Sequence, residues 1–175
     1  MRNYLSLLLL ILTLISCKHE VQMINKNVPA DFDLTSISPD FEPVKELKGQ
    51  ILYLPVYSNV PYQFDTLLFD MSAFVAIHNT DLYNPIQLKK VLYFNQDGKQ
   101  VDDFLGGNMV EIAPLATKDY YIPYEDKSGT GANFLIEWVS DSLVCEPLIE
   151  SVTISLKPNN TTAILSRGKV VMERK

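Results

Sequence analysis

Side chains that commonly build catalytic or metal sites are scarce in this sequence. The 175 residues include two histidines and two cysteines, and only His78 and Cys145 lie beyond residue 20. A blue-copper site needs two histidines and a cysteine, so that set cannot form there. A Gly-x-Ser-x-Gly nucleophile elbow and a Walker phosphate loop are also missing. We therefore expect no enzymatic activity, no cofactor and no metal centre.

Positive charge and helical periodicity are also lacking. The formal net charge is −6, which does not fit the clustered basic surface of a nucleic-acid-binding protein. Apart from the apolar N-terminal run, no window of a dozen residues has apolar side chains at helical spacing. Nine tyrosines and eight phenylalanines, together with many β-branched residues, favour strands instead.

The first 17 residues have the features of an export signal. Arg2 precedes an apolar run from Leu5 to Ile15, which is shorter than the roughly 20 residues needed to span a bilayer. The run ends in Leu14-Ile15-Ser16-Cys17, which resembles the bacterial lipobox. That resemblance implies a diacylglyceryl group on the sulfur of Cys17, cleavage before it, and acylation of the new amine by a fatty acid such as palmitate.

This signal predicts a lipoprotein of the bacterial cell envelope, attached to the membrane through its N-terminal lipid. Lys18 follows the cysteine where Asp would retain a lipoprotein at the inner membrane, so the outer membrane is favoured. An ordinary signal peptide and an uncleaved anchor helix are the alternatives. If Cys17 is lipidated, Cys145 has no partner for an internal disulfide, and we expect it to be a partly buried structural thiol.

Composition divides the chain into three parts. Residues 1–16 are the predicted signal peptide, 17–48 the lipid-attachment cysteine and a proline-containing tether, and 49–175 a folded domain. Fully extended, the tether would reach roughly 100 Å. From Gly49, about eight to ten short strand-like runs are separated by Gly, Pro, Asn and Asp, which predicts an antiparallel β-sandwich, loosely immunoglobulin-like.

The alternation of apolar residues predicts which side chains share a face of a strand. Pro55 indicates an edge strand or a bulge, and Asp97-Gly98 a tight hairpin. The predicted shared faces are Met71, Ala73, Val75 and Ile77; Leu88, Leu92 and Phe94; Phe134, Ile136 and Trp138, with Glu137 outward; and Val152, Ile154 and Leu156, opposite Ser151, Thr153 and Ser155.

Five segments, taken in order, resemble a bacterial family catalogued as domain of unknown function 3124. The resemblance covers roughly residues 49–170 and is most specific between Gly129 and Trp138. It implies an exported or membrane-attached protein with no assigned activity and gives no catalytic residues. The segments are Tyr53–Ser58, Ile77–Asp81, Tyr93–Lys99, Gly129–Trp138 and Glu146–Glu150.

A glycine-containing loop is the candidate binding site in the predicted domain. Backbone amides in such loops bind anions, so we predict a site at Gly129, Gly131, Asn133 and Glu137. Carboxylates of Asp126, Glu137 and Glu146 would suit a calcium ion, which prefers oxygen ligands. The alternative is that the glycines only permit a close approach to the next strand.

Two further groups each allow a functional and a structural interpretation. His78, beside Asn79 and Asp81, could act as a base or a ligand, or could make one hydrogen bond at a strand end. The tyrosines at 120, 121 and 124 could stack on a sugar ring or a partner protein, or could pack in the core.

These observations favour a lipid-anchored binding or accessory module that contacts another envelope protein or polymer. The alternative is a metal- or small-ligand-binding domain that uses the Gly129–Asn133 loop.

Overall fold

The computed structural model describes residues 46–62, 64–157 and 160–174. The predicted signal peptide, Cys17 and most of the predicted tether lie outside the described residues, so these predictions remain predictions. The described part of the chain forms twelve strands. None of its segments forms a helix long and apolar enough to cross a bilayer.

The strands follow one another through short turns and loops. Their bounds are β1 Lys48–Pro55, β2 Asn59–Tyr62, β3 Phe64–Asp70, β4 Ser72–His78, β5 Ile86–Phe94, β6 Gln100–Asp103, β7 Val110–Ile112, β8 Thr117–Ile122, β9 Asn133–Ser140, β10 Leu148–Lys157, β11 Asn160–Arg167 and β12 Lys169–Arg174. The first strand thus begins one residue before the predicted domain boundary.

Two antiparallel sheets build the domain, and a separate hairpin of β2 and β3 accompanies them. Sheet A has the order β12-β1-β9-β5-β6, with β7 also paired to β5, and sheet B has the order β11-β10-β4-β8. Side chains of both sheets form one buried cluster that includes Trp138, Phe134 and Val75. The fold is therefore all-β and sandwich-like, as predicted.

Several predicted faces are confirmed. In β9, the fully buried side chains are Phe134, Ile136 and Trp138. In β4, the buried side chains include Ala73, Val75 and Ile77, and Met71, between β3 and β4, is buried as well. The predicted hairpin joins β5 to β6, where Gly98 has φ +74° and donates its N–H to the carbonyl of Asn95.

The predicted face of β5 is wrong, because periodicity carries no information about bulges. The register of β5 against β9 shifts between Leu88 and Lys90. As a result Leu88, Val91 and Tyr93 join the core cluster, and Leu92 and Phe94 do not. Pro55 is the last residue of β1. This strand lies between β12 and β9 and is not an edge strand, but it has the alternative feature, a bulge, between Ile51 and Leu52.

Strand β10 has its apolar side turned away from the core. Ser151, Thr153 and Ser155 are buried, whereas Val152 and Ile154 are partly exposed and Leu156 is 75% exposed. The hydroxyl of Ser151 donates to the carbonyl of Pro55, but among the described residues those of Thr153 and Ser155 have no hydrogen-bond partner. Each such buried hydroxyl costs about 1–3 kcal/mol.

The two ends of the sandwich differ in what they contain. The near end holds the start of β1, the end of β12, and the loops at residues 79–85, 113–116 and 141–147. The far end holds the β5–β6 hairpin and the loop at residues 123–132. The first described residues of the chain therefore lie at the near end.

Candidate functional site

Three near-end loops carry large apolar side chains in solvent, and we call these loops the platform. They are the loops at residues 79–85, 113–116 and 141–147. Tyr83 is 83% exposed and Leu143 81%, and Leu82 and Leu115 are also exposed. Single exposed apolar residues are ordinary, but several on adjoining loops indicate an interaction surface.

Asn79 joins two of the platform loops from below. The side chain is buried, and its amide nitrogen lies 2.9 Å from the carbonyl oxygen of Asn84, 3.0 Å from that of Ile112 and 3.1 Å from that of Ala113. Its amide oxygen accepts the N–H of Asp81 at 3.0 Å. The loop after β4 is therefore tied to the loop after β7.

Asp81 adds the third loop. One carboxylate oxygen accepts the N–H groups of Tyr83 and Asn84, and the other accepts the N–H of Cys145 at 2.9 Å. These donors, led by Tyr83 and then Cys145, lower the pKa of Asp81 from 3.8 to about 2. The carboxylate is thus ionised at neutral pH and holds the loops at 79–85 and 141–147 together.

One platform residue, Leu115, has a left-handed backbone conformation. Its φ is +60°, a left-handed value that costs a residue with a side chain about 1–2 kcal/mol. Its N–H donates to the carbonyl of Asp81 at 3.2 Å. The same contacts that brace the platform therefore fix an exposed leucine in a strained conformation.

Charged side chains lie beside the apolar ones. Asp141 and Glu146 are exposed, and Lys48 approaches Glu146 at 3.6 Å while donating to the carbonyl of Val144 at 3.0 Å. The apolar side chains thus have a polar, mainly acidic border. Lys48 also fixes the chain entry to the platform.

The roles of His78 and Cys145 differ from those of the exposed apolar side chains, and the Nε2 of His78 is 3.9 Å from a carboxylate oxygen of Glu150. The Nδ1 of His78 lies 2.8 Å from the hydroxyl of Thr117, which matches the structural interpretation of a strand-end hydrogen bond. Cys145 is exposed, so the expectation of a partly buried thiol is wrong. The contribution of Cys145 to the platform is its backbone N–H, which donates to the carboxylate of Asp81.

The far-end loop contains a different cluster around Asp126. One oxygen of this buried carboxylate accepts the hydroxyl of Ser58 at 2.6 Å, the hydroxyl of Tyr93 at 2.9 Å and the N–H of Ser128 at 2.9 Å. Burial raises the pKa of Tyr93 above its ordinary value. This cluster fixes the loop from inside the domain.

The predicted binding residues divide between this loop and the middle of a strand. A side chain at Gly129, where φ is +97°, would collide with the amide oxygen of Gln96, and Gly131 also approaches Gln96. The loop glycines thus permit close packing on the β5–β6 hairpin, rather than on the next strand as the structural alternative held. Glu137 lies four residues beyond Asn133, about 13 Å along β9. The structure does not bring Glu137 to the loop.

Glu137 belongs to a buried charge network on the outer face of sheet A. Its carboxylate contacts the guanidinium of Arg174, which also lies 3.6 Å from Glu46, and Glu46 binds Lys89 at 2.9 Å. Burial raises the pKa of Glu137, and the nearby Arg174 and Lys89 oppose that rise. The network is a structural tie between β12, β9 and β5.

The calcium set and the tyrosine group are not assembled. Asp126 lies at the far end, Glu137 in mid-strand and Glu146 on the platform. The described residues contain no group of three or more His, Cys, Asp or Glu side chains placed to hold a metal. Tyr120 is buried, which raises its pKa to about 12, whereas Tyr121 and Tyr124 are exposed. Ligand binding by the Gly129–Asn133 loop stays a prediction.

The platform was missed in the sequence. Leu82-Tyr83 follows Asn79 and Asp81, a pattern that also occurs in ordinary turns. The exposed Leu115 stands between Pro114 and Ala116, and the exposed Leu143 precedes the buried Val144, so neither is marked as a surface residue in the sequence. Only the fold shows that these positions meet at one end.

Comparison with known proteins places the chain in a family without assigning an activity. The profile of a family described as Protein of unknown function (DUF3124) matches residues 49–171. One similar solved structure is described as the crystal structure of Thermotoga maritima 1070, at 14% identity and a TM-score of 0.42, covering 69% of this chain and 92% of that one. No curated protein matches.

Proposed function

The chain belongs to the DUF3124 family, and we propose that it is a lipid-anchored binding module of the bacterial cell envelope. In this proposal Cys17 carries the lipid, residues 18–45 link it to the domain, and the platform binds a protein partner at the membrane surface. The outer membrane is the proposed location.

The observation that carries the proposal is the bracing of the platform. The side chains of Asn79 and Asp81 make six polar contacts of 2.8–3.1 Å with backbone groups of the three platform loops and the end of β7. These loops expose Leu82, Tyr83, Leu115 and Leu143. A surface held in place before binding loses little conformational entropy on binding. Apolar side chains on a rigid support therefore suit recognition of a partner.

The border of the platform favours a protein over lipid headgroups. Asp141 and Glu146 are exposed beside the apolar side chains. Anionic headgroups would be repelled there, whereas an apolar centre with a polar rim is the usual composition of a protein interface. The described chain also begins beside the platform, at residues 46–48.

In-cell cross-linking from the platform tests the proposal. A photoreactive phenylalanine analogue would replace Tyr83 in the full-length protein, and the same analogue at Asp97, on the far-end hairpin, is the matched control. We expect a discrete protein adduct from position 83 and none from position 97. Partners would be identified by mass spectrometry.

A Cys17→Ala variant separates the anchor from the surface. We expect this variant to be found outside the membrane fraction. The yield of the adduct should fall at least 10-fold, because the lipid raises the local concentration of the protein at the membrane. A lipidated, abundant protein that yields no adduct from position 83 would refute the binding module. An unlipidated protein with an intact adduct would refute only the anchor.

A further inference from the structure

The outer face of sheet B carries an apolar row that crosses all four strands. Leu165 of β11 pairs with Val152 of β10, Val152 with Phe74 of β4, and Phe74 with Tyr121 of β8. Residues paired across antiparallel strands point to the same side of a sheet. Leu165 is 62% exposed, Tyr121 53% and Phe74 43%. This row and Ile154 beside it form the face discussed below.

The inversion of β10 makes this face more than a chance group of exposed residues. A register slip of one residue would bury Val152 and Ile154 and expose the serine and threonine side chains. The chain instead buries the hydroxyls of Thr153 and Ser155 without hydrogen-bond partners among the described residues. An arrangement that is unfavourable in the isolated domain becomes favourable once the outer face is covered.

Charged residues beside the row make the two edges of the face different in charge. Arg167, Glu150, Ala76 and Asp119 form the next row in the same strand order. Arg167 lies 3.8 Å from Glu150, and Asp119 is exposed on the opposite edge strand. The face is therefore basic at β11 and acidic at β8.

We propose that this face binds the same face of a second copy of the protein, through a two-fold axis parallel to the strands. Such an axis exchanges β11 with β8 and β10 with β4. Leu165 then meets Tyr121 of the second copy, and Val152 meets its Phe74. Arg167 meets Asp119 of the second copy, so the charges are complementary as well as the apolar row. Aligned packing of two sheets is a common arrangement.

The segment before the domain is a poorer occupant of this face. Glu46 lies against Lys89 and Arg174, and the N–H of Leu47 donates to the carbonyl of Ser140 in β9. All three contacts are on sheet A. The first described residues, Glu46 and Leu47, therefore lie on sheet A and not on this face.

The size of the face predicts a reversible dimer. Four strands span about 19 Å and seven residues about 23 Å, which gives a contact of roughly 400 Å² in projection. Stable interfaces bury about 600–1,000 Å² of accessible surface on each partner, so this face is smaller than that range and fits a weak, reversible contact. We expect a dissociation constant in the micromolar range.

Sedimentation equilibrium of the full-length protein in mild detergent, over a concentration series, is the direct test. We expect a monomer–dimer equilibrium that Phe74→Lys weakens at least 10-fold. Arg167→Asp and Asp119→Arg should each weaken it about 10-fold, and the double variant should recover most of the loss. Lys127→Glu, an exposed change elsewhere, is the control. Circular dichroism and thermal melting confirm that each variant is folded.

Two results would overturn the proposal. One is a monomer at every concentration up to the millimolar range, which would leave the face to a partner of different sequence. The other is a dimer that Phe74→Lys and the charge variants do not alter, which would place the interface elsewhere. Recovery of the dimer in the double charge variant is the outcome that a merely destabilising effect could not produce.

Discussion

At the scale of single residues, substitutions of two glycines with positive φ test whether the far-end loop depends on close packing against the hairpin. Gly98 has φ +74° and open space around it, whereas a side chain at Gly129, with φ +97°, would meet Gln96. We expect Gly98→Ala to cost about 1 kcal/mol and Gly129→Ala about 2–4 kcal/mol, since the second adds a steric clash to backbone strain. Urea unfolding measures both, and equal costs would contradict the packing role of the loop.

Asp81 gives the platform a defined response to acid. Its pKa is about 2 in the folded protein, against 3.8 in a model compound, so the folded state binds fewer protons between those pH values. The stabilisation is complete above about pH 4 and is lost as the pH falls toward 2. The difference in unfolding free energy between wild type and Asp81→Asn should therefore shrink over that range.

Urea unfolding at several pH values between 2 and 7 measures this difference. Asp97→Asn, at the exposed hairpin tip, is the control and should have little effect at any pH. A difference for Asp81→Asn that is the same at pH 7 and pH 2 would show that the carboxylate does not brace the loops.

At the scale of elements, β10 predicts an unusual gain in stability. Because the buried hydroxyl of Thr153 has no hydrogen-bond partner among the described residues, Thr153→Val should raise the unfolding free energy by about 1 kcal/mol. Ser151→Ala should lower it by about 1 kcal/mol, since that hydroxyl donates to Pro55. Chemical denaturation of both variants is the measurement. A loss on Thr153→Val would mean that the hydroxyl is bonded.

The buried network on sheet A makes β12 important to the fold. Arg174 passes close to Gly49 and reaches Glu137, which is 2% exposed. Removing one partner of a buried ion pair leaves an uncompensated charge, so Arg174→Ala should cost about 3–5 kcal/mol. Lys127→Ala breaks only the exposed pair with Asp70 and should cost less than about 1 kcal/mol. Similar losses in thermal melting would contradict the buried network.

The sequence predicts alternation along a strand well, but it does not predict which side faces the core. In β9 the apolar side is inward, and the prediction is confirmed. In β10 the same pattern is turned outward, because the register with β4 and β11 fixes its orientation. In β5 a bulge reverses the faces halfway. Register and bulges are set by neighbouring strands that lie far away in the chain.

At the scale of the whole molecule, the two ends of the domain carry different loops, and the sequence does not show which loops share an end. The first and last strands place residues 46–48 and 174 at the same end as the platform. The candidate site depends on residues 79–85, 113–116 and 141–147 meeting there, and no local pattern predicts that meeting. The proposed anchor, by contrast, depends only on a local sequence motif and stays a prediction.

The central claim is that the platform binds a protein partner. The most direct test is affinity purification of the full-length protein from membranes, in which recovery of the partner cross-linked at position 83 is measured. Leu82→Ser combined with Tyr83→Ser should reduce partner recovery at least 10-fold with little change in melting temperature, because both side chains are exposed. Leu68→Ser, an exposed change on β3, should leave recovery unchanged. Full recovery with the platform variant would contradict the assignment of the platform as the binding surface.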